Sequence, residues 1–218
     1  MGTLTERDVV AAGLPDWRLL QHALHARFLT PDYATGLALV AEVGAVAEEQ
    51  DHHPDLDLRY GHLDVRTHSH DAGGVTERDL RLARRTSELA AARGARPVPE
   101  RLSVLELALD TPDRDAVRPF WQAVLAPGDA GAGGADDEVR DDSGRLPVLW
   151  FQSSGAEEPR QRFHLDVVVP PEQAGARVEA ALAAGGTLVG DDEAPAYVVL
   201  ADPDGNRVCV CTMRRREG

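Results

Sequence analysis

The sequence predicts an α+β protein made of two halves, and three observations support this prediction. Several short runs alternate apolar and polar residues, as half-buried strands do. Other segments place apolar residues three and four positions apart, which is typical of amphipathic helices. A segment with two prolines, Ala95 to Glu100, separates the halves like a stiff linker. We therefore predict one domain at residues 1–96 and a second at residues 101–214.

The first half is expected to begin with two short strands between Trp17 and Leu29. A helix follows, for which Thr30 is the expected N-cap and Pro31 the first helical residue. The predicted buried stripe of this helix comprises Tyr33, Leu37, Val40, Ala41, Gly44 and Ala47. Glu48 lies about three turns after Leu37, so it is expected to continue this stripe instead of facing water.

Local signals mark the rest of the first half. The helix should end at Asp51-His52-His53-Pro54, and the alternation from Leu63 to Thr67 predicts a strand. Ala72-Gly73-Gly74 supplies a turn, because glycine tolerates the backbone angles that tight turns need. Thr76 then caps a second helix that extends to about Arg93.

The second half repeats one order of elements. A strand from Val104 to Leu109 is followed by a helix from about Asp113 to Leu125 and then by further strands. The pattern starts again with a strand from Phe163 to Val169 and a helix from Pro171 to Ala184. The remaining strands are expected near residues 138–139, 147–151, 187–189, 197–200 and 208–212. This order predicts paired βαβββ units.

The composition excludes several classes of function. The net charge of -14 opposes nucleic-acid binding, because the arginines are scattered. The absence of lysine excludes Schiff-base chemistry and a P-loop phosphate lysine. No apolar run approaches the roughly 18 residues that span a membrane, and the N-terminus lacks the order of a signal peptide. We expect a soluble cytoplasmic protein in which Cys209 and Cys211 are reduced.

Histidines are concentrated in the first half, and five of the eight fall between His52 and His70. His68 and His70 should share one face of the predicted strand, because side chains alternate with period two. A hairpin-like return of that strand would bring His70 beside His52 and His53, with Glu48 beneath them.

These residues form a pattern that resembles the signature of the pterin-4a-carbinolamine dehydratases. The pattern runs Glu48-x-x-Asp51-His52-His53-Pro54, continues with Tyr60 and His70, and closes with Gly74-Val75-Thr76-x-x-Asp79. Trp17 and the helix start Pro31-Asp32-Tyr33 also fit, so the resemblance covers roughly residues 4–93. It implies an antiparallel sheet with helices on one face.

The resemblance implies dehydration of a 4a-hydroxy-tetrahydropterin to the quinonoid dihydropterin and water. The 4a oxygen needs a proton as it leaves while the N5 proton is removed, and imidazoles can do both near neutral pH. By resemblance, His52 and His70 are the general acid and base, and His53 orients the pterin and assists. The expected substrate-binding residues are Glu48, Asp51 and Pro54. The resemblance implies no metal or organic cofactor.

One position departs from the pattern of this family. The family commonly has a threonine before its last catalytic histidine, whereas here Ser69 precedes His70 and a further histidine, His68, stands before it. The spacing from His53 selects His70. A His-x-His pair on a strand is also compatible with a transition metal. Glu48 could instead be a solvated acid at the end of a helix.

The second half resembles a glyoxalase-like domain of the vicinal oxygen chelate superfamily, over about residues 101–213. The resemblance rests on Leu105 to Asp110, Phe120-Trp121, Phe163 to Val167 and Asp202-Pro203-Asp204-Gly205-Asn206. Metalloenzymes of the superfamily place ligands at the positions of Ser103, His164 and Cys209. Because serine is a poor ligand and one histidine does not hold a divalent metal well, we expect no metal here. We interpret this half as a small-molecule-binding or pairing module.

The leading hypothesis is a hydro-lyase that acts on a pterin, forms homo-oligomers and binds neither nucleic acid nor membrane. Dehydratase-family domains assemble through a shared sheet and helices, and an exposed strand edge such as Leu63 to Thr67 would allow such pairing. The alternative is a non-catalytic pterin- or small-molecule-binding protein that uses the fold for regulation or dimerisation. Animal members of the family also act as transcriptional coactivators, so the fold alone does not establish turnover.

Overall fold

The computed structural model describes residues 2–115, 117–118, 121, 138–140, 144, 146–154, 163–183, 185–201 and 207–213. The chain divides into two compact units, Met1–Leu102 and Ser103–Gly218. Each unit has its own sheet and at least one helix, so the predicted α+β class is confirmed. None of the helices within these residues is long and apolar enough to cross a bilayer.

The first unit has a single antiparallel sheet. Its helices are α1 (Glu6–Ala11), α2 (Tyr33–Gln50) and α3 (Glu77–Ala92). Its strands are β1 (Arg18–Leu20), β2 (Ala23–Leu29), β3 (Asp55–Arg59), β4 (His62–Thr67) and β5 (Arg96–Pro97). The strand order is β1-β2-β4-β3, and β5 pairs with β2. The two strands predicted between Trp17 and Leu29 are therefore confirmed, whereas β3 was not predicted.

The core of the first unit contains residues from the sheet and from all three helices. In β4 the buried residues Leu63, Val65 and Thr67 alternate with partly exposed ones, which confirms the predicted strand. The other large buried side chains of this core include Trp17, Leu24, Phe28, Leu39, Val43 and Leu80.

Helix α2 begins two residues later than predicted. Its N-cap is Asp32, whose carboxylate accepts a hydrogen bond of 2.7 Å from the backbone N–H of Thr35. The predicted cap, Thr30, is instead buried in front of the helix. A charged carboxylate favours this end of a helix more than a neutral hydroxyl does, because the N-terminus carries a partial positive charge.

Helix α2 also buries a different face from the predicted one. Its buried residues are Gly36, Leu39, Val43, Val46 and Ala47, whereas Tyr33 and Leu37 are 49% and 56% exposed. Both faces are apolar enough to satisfy the helical period, so periodicity cannot choose between them. The side chain of Glu48 is 80% exposed, so the prediction that it is buried is wrong. The reason is the same, because Glu48 was placed on the face that the helix does not bury.

The segment predicted to be a linker belongs to the first unit. Pro97 pairs with Phe28 in the sheet, and the backbone N–H of Val98 donates to the carbonyl oxygen of Arg27 at 2.9 Å. Val98 is fully buried. Pro97 fits this arrangement because β5 is a short strand at the edge of the sheet, where a missing backbone donor is tolerated. Pro99 follows as the first residue of a short 3-10 helix, Pro99–Arg101.

The strand Leu63 to Thr67 is not an edge, because β4 lies between β2 and β3. The prediction that its exposed edge mediates association is therefore wrong. Among the described strands of this unit, β3 forms the outer edge on that side of the sheet. The residues of β3 do alternate between charged and apolar side chains, but this run has only two apolar positions, Leu56 and Leu58, and no strand was predicted there from the sequence.

His25 gives the first unit a predicted dependence of stability on pH. It lies on β2 opposite Arg66. Burial, and then the positive charge of Arg66, lower the pKa of His25 to about 4. Because an unfolded histidine titrates near 6.5, the unfolded state takes up the proton first as the pH falls. We expect His25 to reduce the free energy of unfolding between pH 6.5 and 4, by about 3 kcal/mol at pH 4.

The variant His25→Gln should lose less stability over this pH range than the wild type does, as measured by urea unfolding at several pH values. His22→Gln is the matched control, because His22 is an exposed histidine in the turn that leads into the same strand. Half-buried His68 also has a pKa of about 4, owing first to burial and then to Arg66, so part of the acid sensitivity should remain. Equal acid sensitivity of wild type and His25→Gln would contradict the prediction.

The second unit is a mixed sheet of seven strands in the described residues. Its strands are β6 (Val104–Thr111), β7 (Glu138–Val139), β8 (Val148–Ser153), β9 (Phe163–Val168), β10 (Thr187–Gly190), β11 (Tyr197–Ala201) and β12 (Arg207–Cys211), and α4 (Pro171–Ala183) follows β9. Their order is β10-β11-β12-β9-β6-β8-β7. β6 runs parallel to β8 and β9 runs parallel to β12, while β6 and β9 are antiparallel. This doubled arrangement agrees with the predicted repeat.

Two predicted features lie largely outside the described residues. Of the helix predicted from Asp113 to Leu125, the helical residues 114–115, 117–118 and 121 are described. The turn Asp202-Pro203-Asp204-Gly205-Asn206 is outside the described part of the chain.

Candidate active site

The end of helix α2 determines where the two adjacent histidines point. Asp51 has the left-handed backbone angles φ 47° and ψ 45°. The N–H groups of Asp51 and His52 donate back to the carbonyl oxygens of Glu48 and Ala47. This helix-ending turn reverses the chain direction. As a result, His52 is buried, with its side chain 7% exposed, and His53 faces solvent, with its side chain 58% exposed.

His52 is held by a buried carboxylate at the start of helix α3. Its Nε2 atom lies 2.7 Å from Oδ1 of Asp79 and 3.2 Å from Oγ1 of Thr67. Asp79 also accepts hydrogen bonds from the hydroxyls of Thr67 and Ser69 and from the backbone N–H of Thr76. Burial raises the pKa of Asp79, but hydrogen bonds from Thr67, the Thr76 N–H, His52 and Ser69 together hold it below its usual value.

His53 pairs with Glu48 at the surface. The distance from Nε2 of His53 to Oε1 of Glu48 is 2.9 Å, and both side chains are more than half exposed. Such an exposed pair contributes little to stability, because water screens it and both side chains lose freedom. Its members therefore remain able to exchange this contact for one with a ligand.

His70 follows β4 and packs against His68. Their ring centroids are 4.0 Å apart at 56°, so the two rings lie together as predicted, although both residues follow the end of β4 at Thr67. His70 is exposed, and the turn after it is closed by a bridge between Ser69 and Gly74. An ion pair between Arg78 and Asp71 fixes the same turn to α3.

The three predicted catalytic histidines thus belong to three separate local contacts. Within residues 2–102, no hydrogen bond, ion pair or ring contact joins His52, His53 and His70 to one another. Of the expected substrate-binding residues, Glu48 contacts His53, Asp51 shapes the turn, and Pro54 is partly buried directly after the histidine pair.

A second polar cluster lies on the sheet of the second unit. Nδ1 of His164 lies 3.1 Å from Oδ1 of Asp166 and 3.8 Å from Sγ of Cys209. The other ring nitrogen of His164 lies 2.8 Å from Oε1 of Gln152. The hydrogen bond to Asp166 and then the one to Cys209 raise the pKa of His164 to about 10. These contacts favour the protonated form of the ring.

The register of the strands corrects the ligand positions considered for this unit. His164 and Cys209 do lie side by side, but Ser103 precedes β6 and is not part of the cluster. Asp166 takes its place, because it pairs with Cys209 across β9 and β12. The ligand atoms of His164, Asp166 and Cys209 lie within 4.8 Å of one another, so these are the described residues that could hold a metal ion.

We still predict that the second unit binds no stoichiometric metal. A metal would have to displace the proton of His164 from its pair with Asp166, and ligand histidines bind metals in their neutral form. Elemental analysis of untagged protein tests this, with His164→Ala as the control. One equivalent of zinc, iron or manganese that disappears in His164→Ala would contradict the prediction.

Comparison with known proteins gives the family. The family model described as pterin 4 alpha carbinolamine dehydratase matches residues 2–89, and one described as a glyoxalase-like domain matches residues 106–211. A protein of Halobacterium salinarum named "Putative pterin-4-alpha-carbinolamine dehydratase" is 38% identical over 89 residues, which are 40% of this chain and 98% of that protein. The chain belongs to the pterin-4a-carbinolamine dehydratase family. In the sequence, a glyoxalase-like domain follows the dehydratase-family domain.

Further similar proteins also match part of this chain. A protein of Streptomyces coelicolor with the same name is 44% identical over 85 residues, which are 38% of this chain and 84% of that protein. A solved structure titled "transcriptional coactivator/pterin dehydratase" from Brucella melitensis is 31% identical and covers 41% of this chain and 99% of its own, with a TM-score of 0.40. A glyoxalase/bleomycin resistance protein/dioxygenase superfamily member from Vibrio splendidus is 14% identical and covers 51% of this chain and 99% of its own, with a TM-score of 0.34.

Sequence reasoning missed two partners of His52 in the dehydratase-family unit. Thr67 was identified only as a strand residue, and Asp79 only as the end of the family pattern. The spacing Thr76-x-x-Asp79 is a capping box, and the structure confirms it as one. This spacing could have identified Asp79, because an acid at the third position of a helix faces the preceding loop, where a buried histidine can reach it.

Proposed function

We propose that the dehydratase-family unit catalyses the dehydration of a 4a-hydroxy-tetrahydropterin to the quinonoid dihydropterin and water. The observation that supports this most is the buried His52–Asp79 pair, because a carboxylate behind an imidazole stabilises the imidazolium that forms when the ring takes up a proton. Family membership and the identity of the relatives provide the substrate class.

The proposed chemistry has two proton transfers. His52 removes the proton from N5, the N5 electron pair forms a double bond to C4a, and the bond from C4a to oxygen breaks. His70 donates a proton to the departing oxygen, so that water leaves instead of hydroxide. Exposure of His70 to solvent allows it to be reprotonated after each turnover. His53, with Glu48, would contact the edge of the pterin at the surface.

The test is turnover of synthetic 4a-hydroxy-tetrahydropterin by the full chain, with the appearance of the quinonoid product followed by its absorbance. We expect a rate well above that of the spontaneous dehydration in the same buffer. Binding of a pterin without acceleration would overturn the proposal and favour the non-catalytic binding protein. The chemical control is free imidazole, at the same concentration as the histidine side chains of the protein in the assay.

We also propose that the protein is a homo-oligomer. β3 is the last strand on its side of the sheet among the described residues, and strands in that position can pair with a strand of a second copy. Light scattering of the full chain measures the mass directly, and a monomer at micromolar concentration would exclude this arrangement.

A further inference from the structure

We propose that Asp79 is a positioning residue for the dehydration, which holds His52 in the tautomer that carries its proton on Nε2 and leaves Nδ1 for the pterin. This inference rests on the proposed function and adds to it the atom through which His52 acts. It is carried by the hydrogen bonds around one fully buried carboxylate.

The hydrogens around Nε2 of His52 can be assigned from the contacts alone. Thr67 has a single hydroxyl hydrogen, and it donates this hydrogen to Oδ1 of Asp79 at 2.7 Å. The oxygen of Thr67 can therefore only accept from Nε2 of His52. Asp79 is an ionised carboxylate that also accepts from the hydroxyl of Ser69 and the backbone N–H of Thr76, so it too can only accept. Both neighbours of Nε2 are acceptors, and a neutral His52 must carry its proton there.

The opposite nitrogen of the ring is open. Nδ1 of His52 has no hydrogen-bond partner among the described residues, and it is not one of the fully buried polar atoms that lack a partner. It therefore contacts solvent although most of the ring is buried. This is the atom that a bound pterin can reach, and it carries a lone pair as long as Asp79 holds the proton on the other side of the ring.

A second capping box in the same unit makes it possible to test the capping role of Asp79 separately from its role in positioning His52. Thr5 and Asp8 at the start of α1 repeat the hydrogen bonds of Thr76 and Asp79 at the start of α3. Asp8 is exposed and has no histidine partner, whereas Asp79 is buried and serves the cap and His52 at once. The two acids differ in the feature that the inference concerns, so Asp8 is the matched control.

The variant Asp79→Asn tests the inference in the full chain. Its amide can donate to Nε2 where the carboxylate could only accept, which moves the ring proton to Nδ1 and removes the lone pair that faces the pterin. We expect kcat to fall by about 100-fold or more with KM changed less than about threefold, as for loss of the acid behind a catalytic histidine. Asp8→Asn should leave kcat within about twofold of the wild type. Retention of kcat in Asp79→Asn would overturn the inference.

Nitrogen-15 NMR of the histidine side chains provides a readout that needs no activity. In a pH series, the neutral form of His52 in the wild type should show a protonated Nε2 and an unprotonated Nδ1, and Asp79→Asn should shift this balance toward Nδ1–H. A wild-type His52 with its proton on Nδ1 overturns the inference, even if Asp79→Asn fails to fold. Turnover by the wild type separates the proposed function from the role of Asp79. If the wild type shows no turnover, the proposed function fails. If it shows turnover but His52 carries its proton on Nδ1, only the role of Asp79 is wrong.

Discussion

Replacement of His52 or His70 by alanine is expected to lower the kcat for dehydration by about 100-fold or more, because each loses one of the two proton transfers. The two variants should differ in stability. His70 is exposed, so His70→Ala should unfold within about 0.5 kcal/mol of the wild type. His52→Ala leaves the buried Asp79 without its histidine partner, so its free energy of unfolding should fall by about 1–3 kcal/mol. Steady-state turnover and urea unfolding measure these effects separately.

The matched control for His70 is His68, whose ring lies directly against it. His68→Ala should change kcat by less than a few-fold, because the spacing of the family pattern assigns the catalytic position to His70. The opposite result, an essential His68 and a dispensable His70, would show that the register of the pattern is wrong by two residues.

Removal of residues 97–102 is expected to destabilise the isolated first unit. A fragment that ends at Leu102 keeps the β2–β5 pairing and the hydrogen bond between Val98 and Arg27. A fragment of residues 1–96 loses the pairing of Pro97 with Phe28, the Val98 hydrogen bond and Val98 as a buried side chain. Burial of a valine and one backbone hydrogen bond together contribute about 2–4 kcal/mol. We therefore expect the longer fragment to be folded, oligomeric and active, and the shorter one to unfold at lower urea concentration.

The comparison of the two fragments also tests the division of the chain into domains. Size-exclusion chromatography with light scattering, unfolding in urea and the turnover assay would be applied to both fragments. Equal stability of the fragments would restore the boundary at residue 96 and the interpretation of residues 95–100 as a linker. An unfolded or inactive fragment ending at Leu102 would show that the glyoxalase-like unit is needed to complete the pterin site.

Local features of the fold could be predicted from the sequence because they depend on neighbours in the chain. The alternation in β4, the capping of α3 by Thr76 and the end of α2 at Asp51 each need only a few consecutive residues. The histidine pattern belongs to the same class, because its spacing can be counted along the chain. The contact between the rings of His68 and His70 follows from their spacing of two residues, because side chains two apart in an extended chain point to the same side.

Only the tertiary structure could decide which distant groups meet. Helix α2 has two apolar faces, and the choice between them depends on how it packs against the sheet, which also decides whether Glu48 is buried. Asp166 joins His164 and Cys209 through the register of β9 and β12, where a shift of one residue would send its side chain to the other face. The pairing of His52 with Asp79 spans 27 positions in the chain. Such contacts depend on the packing of whole elements, and no local pattern of residues specifies that packing.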